Sequence, residues 1–320
     1  MAIPCTLTGI HPRSSELIRV SRDHDRARAD ASALERGIAA DYARLEERQA
    51  KLGFAPAADG LLRWQDLFRP FSENVKGMRH GTLTRWFENN TFFRQPVVEN
   101  DLQTDGSFIS NYLLHQPGKP FKAVLPGPYT FAVSAEDRHY HGLGKLLPAI
   151  AEILAATCRN LPAACQAVQF NEPAIAYNAA RNLLRPADWE AIMAGYAILL
   201  GGIKAKAYVH TYFGDFAAFA SQIMELPVDG FGIDLTETDA QSLASLAGKE
   251  AILGLADARN SLVETADNLA SRAATALEKI GSKRFYLAPN CDLEFLPLSI
   301  AEQKMEALSK AARILEANHG

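Results

Sequence analysis

The sequence predicts an α/β protein built as a single (β/α)8 TIM barrel. Three observations carry that prediction. Eight short apolar or β-branched runs each end in polar or turn residues, helix-like stretches separate most of them, and a length of 320 residues suits one large barrel. Strands that alternate with helices make parallel βαβ units. A doubly wound open sheet is the runner-up, but no GxGxxG follows an early strand.

In chain order, "PCTLTG" (4–9) is the first predicted strand. The charged stretch 21–51, rich in Ala, Arg, Glu and Leu, predicts one long helix stopped by Gly53, inserted over about 21–53. Its mixed-sign charge is the pattern of a solvated face. Strands follow at "FFRQPVV" (92–98), "KAVLPG" (122–127), "AVQFNE" (167–172), "KAYVHTY" (206–212), "GFGIDL" (230–235), "ILGLADA" (252–258) and "FYLAPN" (285–290). Helices are predicted over 142–161, 187–202, 239–249 and 265–281. No Gly/Ser-rich or Pro-rich stretch marks a linker, so 1–320 reads as one domain.

Composition bounds the function. Apolar residues make up 48% and charged residues 22%, the balance of a globular protein with a large core. A net charge of −4 without a dense Lys/Arg run argues against nucleic acid or an anionic membrane as partner, leaving small molecules. The start "MAIPCTLTGIHPRSSEL" has no basic and apolar leader pattern, and no 18 consecutive apolar residues occur, so a cytoplasmic protein is expected. Cys5, Cys158, Cys165 and Cys291 form no CxxC pair or disulfide framework. Cys158 and Cys165 read as small buried side chains.

In a barrel the C-terminal strand ends gather the active site. Here they offer His11 with Arg13, Arg94 with Gln95, "PGPYTF" (126–131), Asn171 with Glu172, His210, Asp234, Asp257 with Arg259, and Asn290 with Cys291. His210, Asp234 and Cys291 can supply the N, O and S donors that a catalytic zinc site needs. The alternative readings are a hydrogen-bonded core histidine, a strand-end cap and a small buried thiol.

The strand-end wording resembles the cobalamin-independent methionine synthases, both the short single-barrel form and the N-terminal barrel of the long form. The similar passages include "TGIHPRSSEL" (8–17), "DGLLRWQDLFRPF" (59–71), "LTRWFENNTFFRQP" (83–96), "LPGPYTFAVSAED" (125–137), "VQFNEPAI" (168–175), "HTYFGDF" (210–216), "GLADARNSLVE" (254–264) and "APNCDLEFLPLSIAEQKM" (288–305), in family order over nearly the whole chain. The resemblance implies a zinc ion that binds homocysteine as a thiolate, which accepts a methyl group from a folate or a methylcorrinoid. Zinc lowers a thiol pKa and so supplies the attacking anion.

Carried over by position, the resemblance makes His210, Cys291 and Asp234 the metal ligands, Asp234 standing where the family has Glu. Tyr212 stands where the family has a ligating cysteine, and a phenol with pKa near 10 is a poor substitute for a thiolate. Asn171, Glu172, Arg94, Asp257 and His11 are the implied substrate contacts. Asn171 replaces an Asp, Gly9-Ile10 replaces a Gly-Ser pair, and Arg69 matches an expected carboxylate, so the anionic partners of an amino group are thinned out. A zinc-dependent methyltransferase is the first expectation. The second is a noncatalytic barrel that binds folate or partners a second barrel or a corrinoid protein. The third is a diverged barrel enzyme, with Arg13, Arg69 and Arg94 facing carboxylates.

Overall fold

A computed structural model describes residues 3–319. Two helices come first, α1 (Ser15–Asp25) and α2 (Ala31–Leu52), then the two-residue strand β1 (Ala57–Ala58) and the short helix α3 (Arg69–Asn74). β2 (Lys76–Arg85) and β3 (Phe92–Gln103) form a long antiparallel hairpin. Beyond it come β4 (Phe121–Pro126), α4 (Pro128–Ser134), β5 (Glu136–Asp137), α5 (Leu143–Arg159), β6 (Cys165–Asn171), α6 (Pro173–Ala179), α7 (Pro186–Leu200) and β7 (Lys206–Thr211). The chain finishes with α8 (Ala220–Ile223), β8 (Gly230–Asp234), β9 (Glu250–Ala256), α9 (Ala266–Ile280), β10 (Phe285–Pro289) and α10 (Leu298–His319).

Seven strands make one parallel sheet in the order β1-β4-β6-β7-β8-β9-β10, so each pairs with the next sheet strand along the chain. That order excludes the doubly wound alternative, in which strand order reverses. β4 and β8 are buried along their whole length, as parallel strands covered on both faces must be. The two edges of the sheet approach the same segment. Cys5 bridges Phe54, just before β1, and Leu287 in β10. Its N–H donates to Gly53 O at 3.1 Å, and the Thr6 N–H donates to Leu287 O at 2.9 Å.

Four expectations are corrected. The predicted first strand 4–9 is reduced to an isolated bridge at Cys5. The predicted barrel strand 92–98 lies in a separate three-stranded sheet, β2-β3-β5, and the position it was given is held by Ala57–Ala58. The single helix over 21–51 is two. Ala27 takes a left-handed φ of 54°, and Asp30 then caps α2 by accepting from the Ala33 N–H at 2.7 Å. Gly53 ends α2 as expected, with φ 75° and its N–H on Gln49 O. The predicted helix 239–249 is only a 3-10 turn at Ala240–Ser242.

Candidate functional site

The parallel strands aim their C-terminal ends at one face, and side chains from opposite sides of the sheet meet inside it. Lys122 Nζ donates to Leu7 O and to Gln169 Oε1 (2.7 Å). Gln169 Nε2 in turn donates to Thr8 O and Asn171 Oδ1, both at 2.7 Å. Asn171 Nδ2 donates to Thr8 O at 3.0 Å. This fully buried chain of amides fills the interior and consumes Asn171, one of the implied substrate contacts.

Glu172 is also committed. Its carboxylate accepts from the Tyr129 N–H (2.9 Å) and the Thr130 N–H (2.7 Å) at the start of α4, and from Tyr196 OH at 3.2 Å. It therefore caps the "PGPYTF" turn, and its burial pushes its pKa up to about 7 despite these donors.

The implied metal ligands lie near one another but are spent on local bonds. His210 Nε2 donates to Asn290 O at 2.8 Å, and burial pulls its pKa down to about 3, which keeps the ring neutral. Its Nδ1 has no partner and faces Gly232, where an added Cβ would stand 1.8 Å away. Asp234 accepts from Asn290 Nδ2 at 3.2 Å on both oxygens, from Thr236 and from the Phe213 N–H. The Cys291 thiol is driven well above its ordinary value by burial and by the carboxylates of Asp292 and Asp234. Tyr212 donates its hydroxyl to Asp292 Oδ2 at 3.1 Å, and burial raises that phenol too. Among the described residues no three His, Cys, Asp or Glu side chains are grouped to hold a metal. One orphaned imidazole nitrogen without an available thiolate or carboxylate does not fit zinc.

Asp292, unmarked by the sequence reading beyond its place beside Cys291, proves central. Besides Tyr212 it accepts from the Ile10 N–H at 2.8 Å, and it fills the space over Gly9, where a Cβ would lie 1.8 Å from its Oδ1. The Gly9-Ile10 departure and the Cys-to-Tyr departure at 212 thus meet on one carboxylate. Asn290, which the sequence offers only as a polar residue at a strand end, joins Asp234, Thr236, Ala258 and Cys291.

The remaining implied contacts disperse. Arg94 lies in the hairpin, its N–H on Asp66 and its guanidinium on Gly81 O at 3.3 Å. Asp257 accepts from the Arg259 N–H within its own loop. His11 is buried, with Nδ1 3.0 Å from Pro12 O and Nε2 unpartnered, beside a cavity of about 790 Å³.

Two openings flank the filled interior at this face. One, of about 790 Å³, lies between the segment after Cys5, the residues after β1 and the turn after β10, and takes in His11, Arg13, Trp64 and Glu294. The other, of about 520 Å³, opens over β7, β8 and β9. The hairpin tip reaches across to it. Phe87 packs on Tyr177 and Phe213 at 4.8 and 5.4 Å, and Glu88 pairs with Arg181 at 2.7 Å.

A sequentially ordered parallel sheet wrapped by helices, with polar side chains and cavities at the C-terminal strand ends, defines an α/β protein of the small-molecule enzyme type. The chain belongs to the cobalamin-independent methionine synthase family. The family model described as "Cobalamin-independent synthase, N-terminal domain" matches residues 72–281. A methionine synthase of Saccharolobus solfataricus is 23% identical over 98% of this chain and 95% of its own length. A 5-methyltetrahydropteroyltriglutamate–homocysteine methyltransferase of Streptomyces avermitilis is 25% identical over 99% of this chain, which spans only 43% of that longer protein. Among solved structures, a B12-independent methionine synthase from Shewanella sp. W3-18-1, in complex with selenomethionine, superimposes with a TM-score of 0.80 at 19% identity, covering 100% of this chain and 99% of the other.

Proposed function

We propose that this protein is a methyltransferase of the methionine-synthase type, passing a methyl group from a folate to the sulfur of homocysteine or a related thiol. The observation that carries this reading is the end-to-end correspondence with short relatives named methionine synthase. The folate donor follows the activity for which the longer relative is named. The same reading makes residues 1–320 a single (β/α)8 barrel closed through the Cys5 segment, which the hydrogen bonds on both its sides support. A cytoplasmic setting belongs to it as well, and no helix among the described residues is long and apolar enough to cross a membrane.

The chain's own residues bind and orient in this reading. His11 lines the larger cavity, while Glu172 and Asn171 hold the turn and interior that frame the mouth. For zinc to take part, Asp234 and His210 would have to give up Asn290, and Cys291 would have to lose its proton against two nearby carboxylates. No step is therefore routed through the metal, nor through a methylcorrinoid, a corrinoid protein or a second barrel.

A second reading, a folate-binding barrel without turnover, is favoured by one observation: the matched family model is that of the N-terminal domain. Incubation of the purified chain with homocysteine and a methyltetrahydrofolate, with methionine measured by mass spectrometry and metal content by elemental analysis, separates the two. Methionine formed in proportion to enzyme supports the first. Folate binding with no methionine at any added zinc concentration refutes it and leaves the second.

A further inference from the structure

The hairpin of β2 and β3 is firmly seated at Trp86 and only lightly held beyond it. Trp86 and Phe93 both pack on the fully buried Phe68, with ring centroids 5.7 and 5.3 Å away. Past Trp86 the turn 87–91 keeps its backbone bonds to the hairpin itself: the Trp86 N–H donates to Thr91 O, and the Asn89 N–H donates to Trp86 O. Among the described residues no backbone hydrogen bond joins this turn to the segments it covers. The Thr91 hydroxyl is even buried there without a partner, a cost of the seated position.

Side chains alone fasten the tip. Glu88 accepts from Arg181 at 2.7 Å and from Tyr177 OH at 3.0 Å, and the Arg181 guanidinium lies 3.5 Å from the centre of the Tyr177 ring. The Glu88 side chain is 71% exposed, so its ion pair is weak and screened by salt. Beside this catch, Phe87 seats on Phe213.

A second, independent observation is strain on both sides of that ring contact. Phe87 and Phe213 each hold left-handed backbone, with φ of 49° and 69°. A bulky residue adopts that conformation at a cost, and such residues gather at clamps and switches. Parting the rings lets both backbones relax, so the strain works against the closed position. The ring of Phe213 in turn lies 4.7 Å from that of Tyr212, with the Arg259 guanidinium 5.4 Å from its other contacts' centre, and the charge of Arg259 reaches Cys291. The tip thus covers the way from the space of about 520 Å³ down to Tyr212 and Cys291.

We propose that the hairpin tip is a hinged strap, turning about Trp86, that shuts the mouth over β7 when Phe87 seats on Phe213 and Glu88 on Arg181, and that swings away to admit ligand. It governs access alone, and so serves turnover and binding without turnover alike.

Cys291 reports on the strap, because it is buried beneath it while Cys5, Cys158 and Cys165 are buried elsewhere. The test is alkylation of the full chain by N-ethylmaleimide, with the rate at each cysteine read by peptide mass spectrometry. Raising the salt concentration in the wild type, or Glu88→Gln, should speed alkylation of Cys291 by roughly two- to fivefold, the worth of one exposed ion pair, and leave Cys5 and Cys158 unchanged. Salt should then have no further effect on Glu88→Gln. In the double variant Glu88→Cys, Arg181→Cys, a short bismaleimide joining the two new thiols should slow Cys291 relative to the same variant capped at both positions without a tether. A tether that leaves the Cys291 rate unchanged overturns the proposal, as does a salt effect shared equally by Cys158, which marks global opening. A Cys291 that reacts in no form at any salt concentration overturns it as well. The wild-type salt series stands without any variant, so a misfolded Glu88→Gln does not rescue the strap.

Discussion

Replacing Glu172 by Ala tests whether this residue caps a turn or touches substrate. The truncation strands two buried backbone N–H groups, those of Tyr129 and Thr130, and removes the partner of Tyr196 OH. Each stranded donor costs about 1–3 kcal/mol, so the loss is about 4 kcal/mol in total. Ionisation modifies that figure. The carboxyl titrates at about 7 in the fold against an ordinary 4.5, so its contribution is fully present below pH 4.5 and declines as pH rises through 7. The full shift is equivalent to about 3 kcal/mol. Glu172→Ala should therefore cost about 4 kcal/mol at pH 5 and only about 1 kcal/mol at pH 8. Urea unfolding at the two pH values reads this directly. A variant that loses methyl transfer yet unfolds like the wild type at pH 5 would refute the capping role and return Glu172 to the substrate.

Two further outcomes follow from the interior. Gly9→Ala should destabilise by about 2–4 kcal/mol, because its Cβ meets Asp292 Oδ1 at 1.8 Å and must displace a hydrogen-bonded carboxylate. Adding Asp292→Gly should recover part of that loss in a double-mutant cycle, and strict additivity would show that the two do not touch. His210→Gln should flatten the acid limb of the stability curve. His210 titrates at about 3 in the fold against 6.5 when unfolded, so wild-type stability drains away as pH falls below 6.5. The destabilisation caused by the variant should accordingly shrink between pH 6.5 and 4 in urea titrations, and a pH-independent difference would contradict a neutral buried imidazole.

The parallel strands β4 and β6 to β10 were legible because burial on both faces writes them as mainly apolar runs. β3 misled for a different reason. "FFRQPVV" has a strand's composition and buries Phe93 and residues 96–98, but it does so against an antiparallel partner in the hairpin, with Phe92 51% exposed. The strand it displaced, Ala57–Ala58, is too short to leave any period. Over 239–249 the apolar spacing is helical, yet Ala247 and Gly248 both take positive φ and the chain turns instead. At the site, residue types and their neighbourhood were readable, but commitments were not. Nothing in "VHTYF" tells that His210 bonds to Asn290 O or that Tyr212 bonds to Asp292, because those partners lie 80 residues away. Asp292 stood in the quoted "APNCDLEF" all along, without the burial that gives it meaning.

The junction at Cys5 reaches beyond geometry into how the molecule is made. Thr6 bonds to Leu287, and Cys5 bridges both Phe54 and Leu287, so this segment waits for residues far later in the sequence before its pairing is complete. Pairing across so long a loop slows folding and leaves sheet edges uncovered during synthesis. A nascent chain stalled before residue 285 would expose the backbone of both the Cys5–Thr6 segment and β9, edges prone to recruit a neighbour. The vulnerability of such a closure lies in the unfinished chain, before its last strand is in place, rather than in the folded sheet.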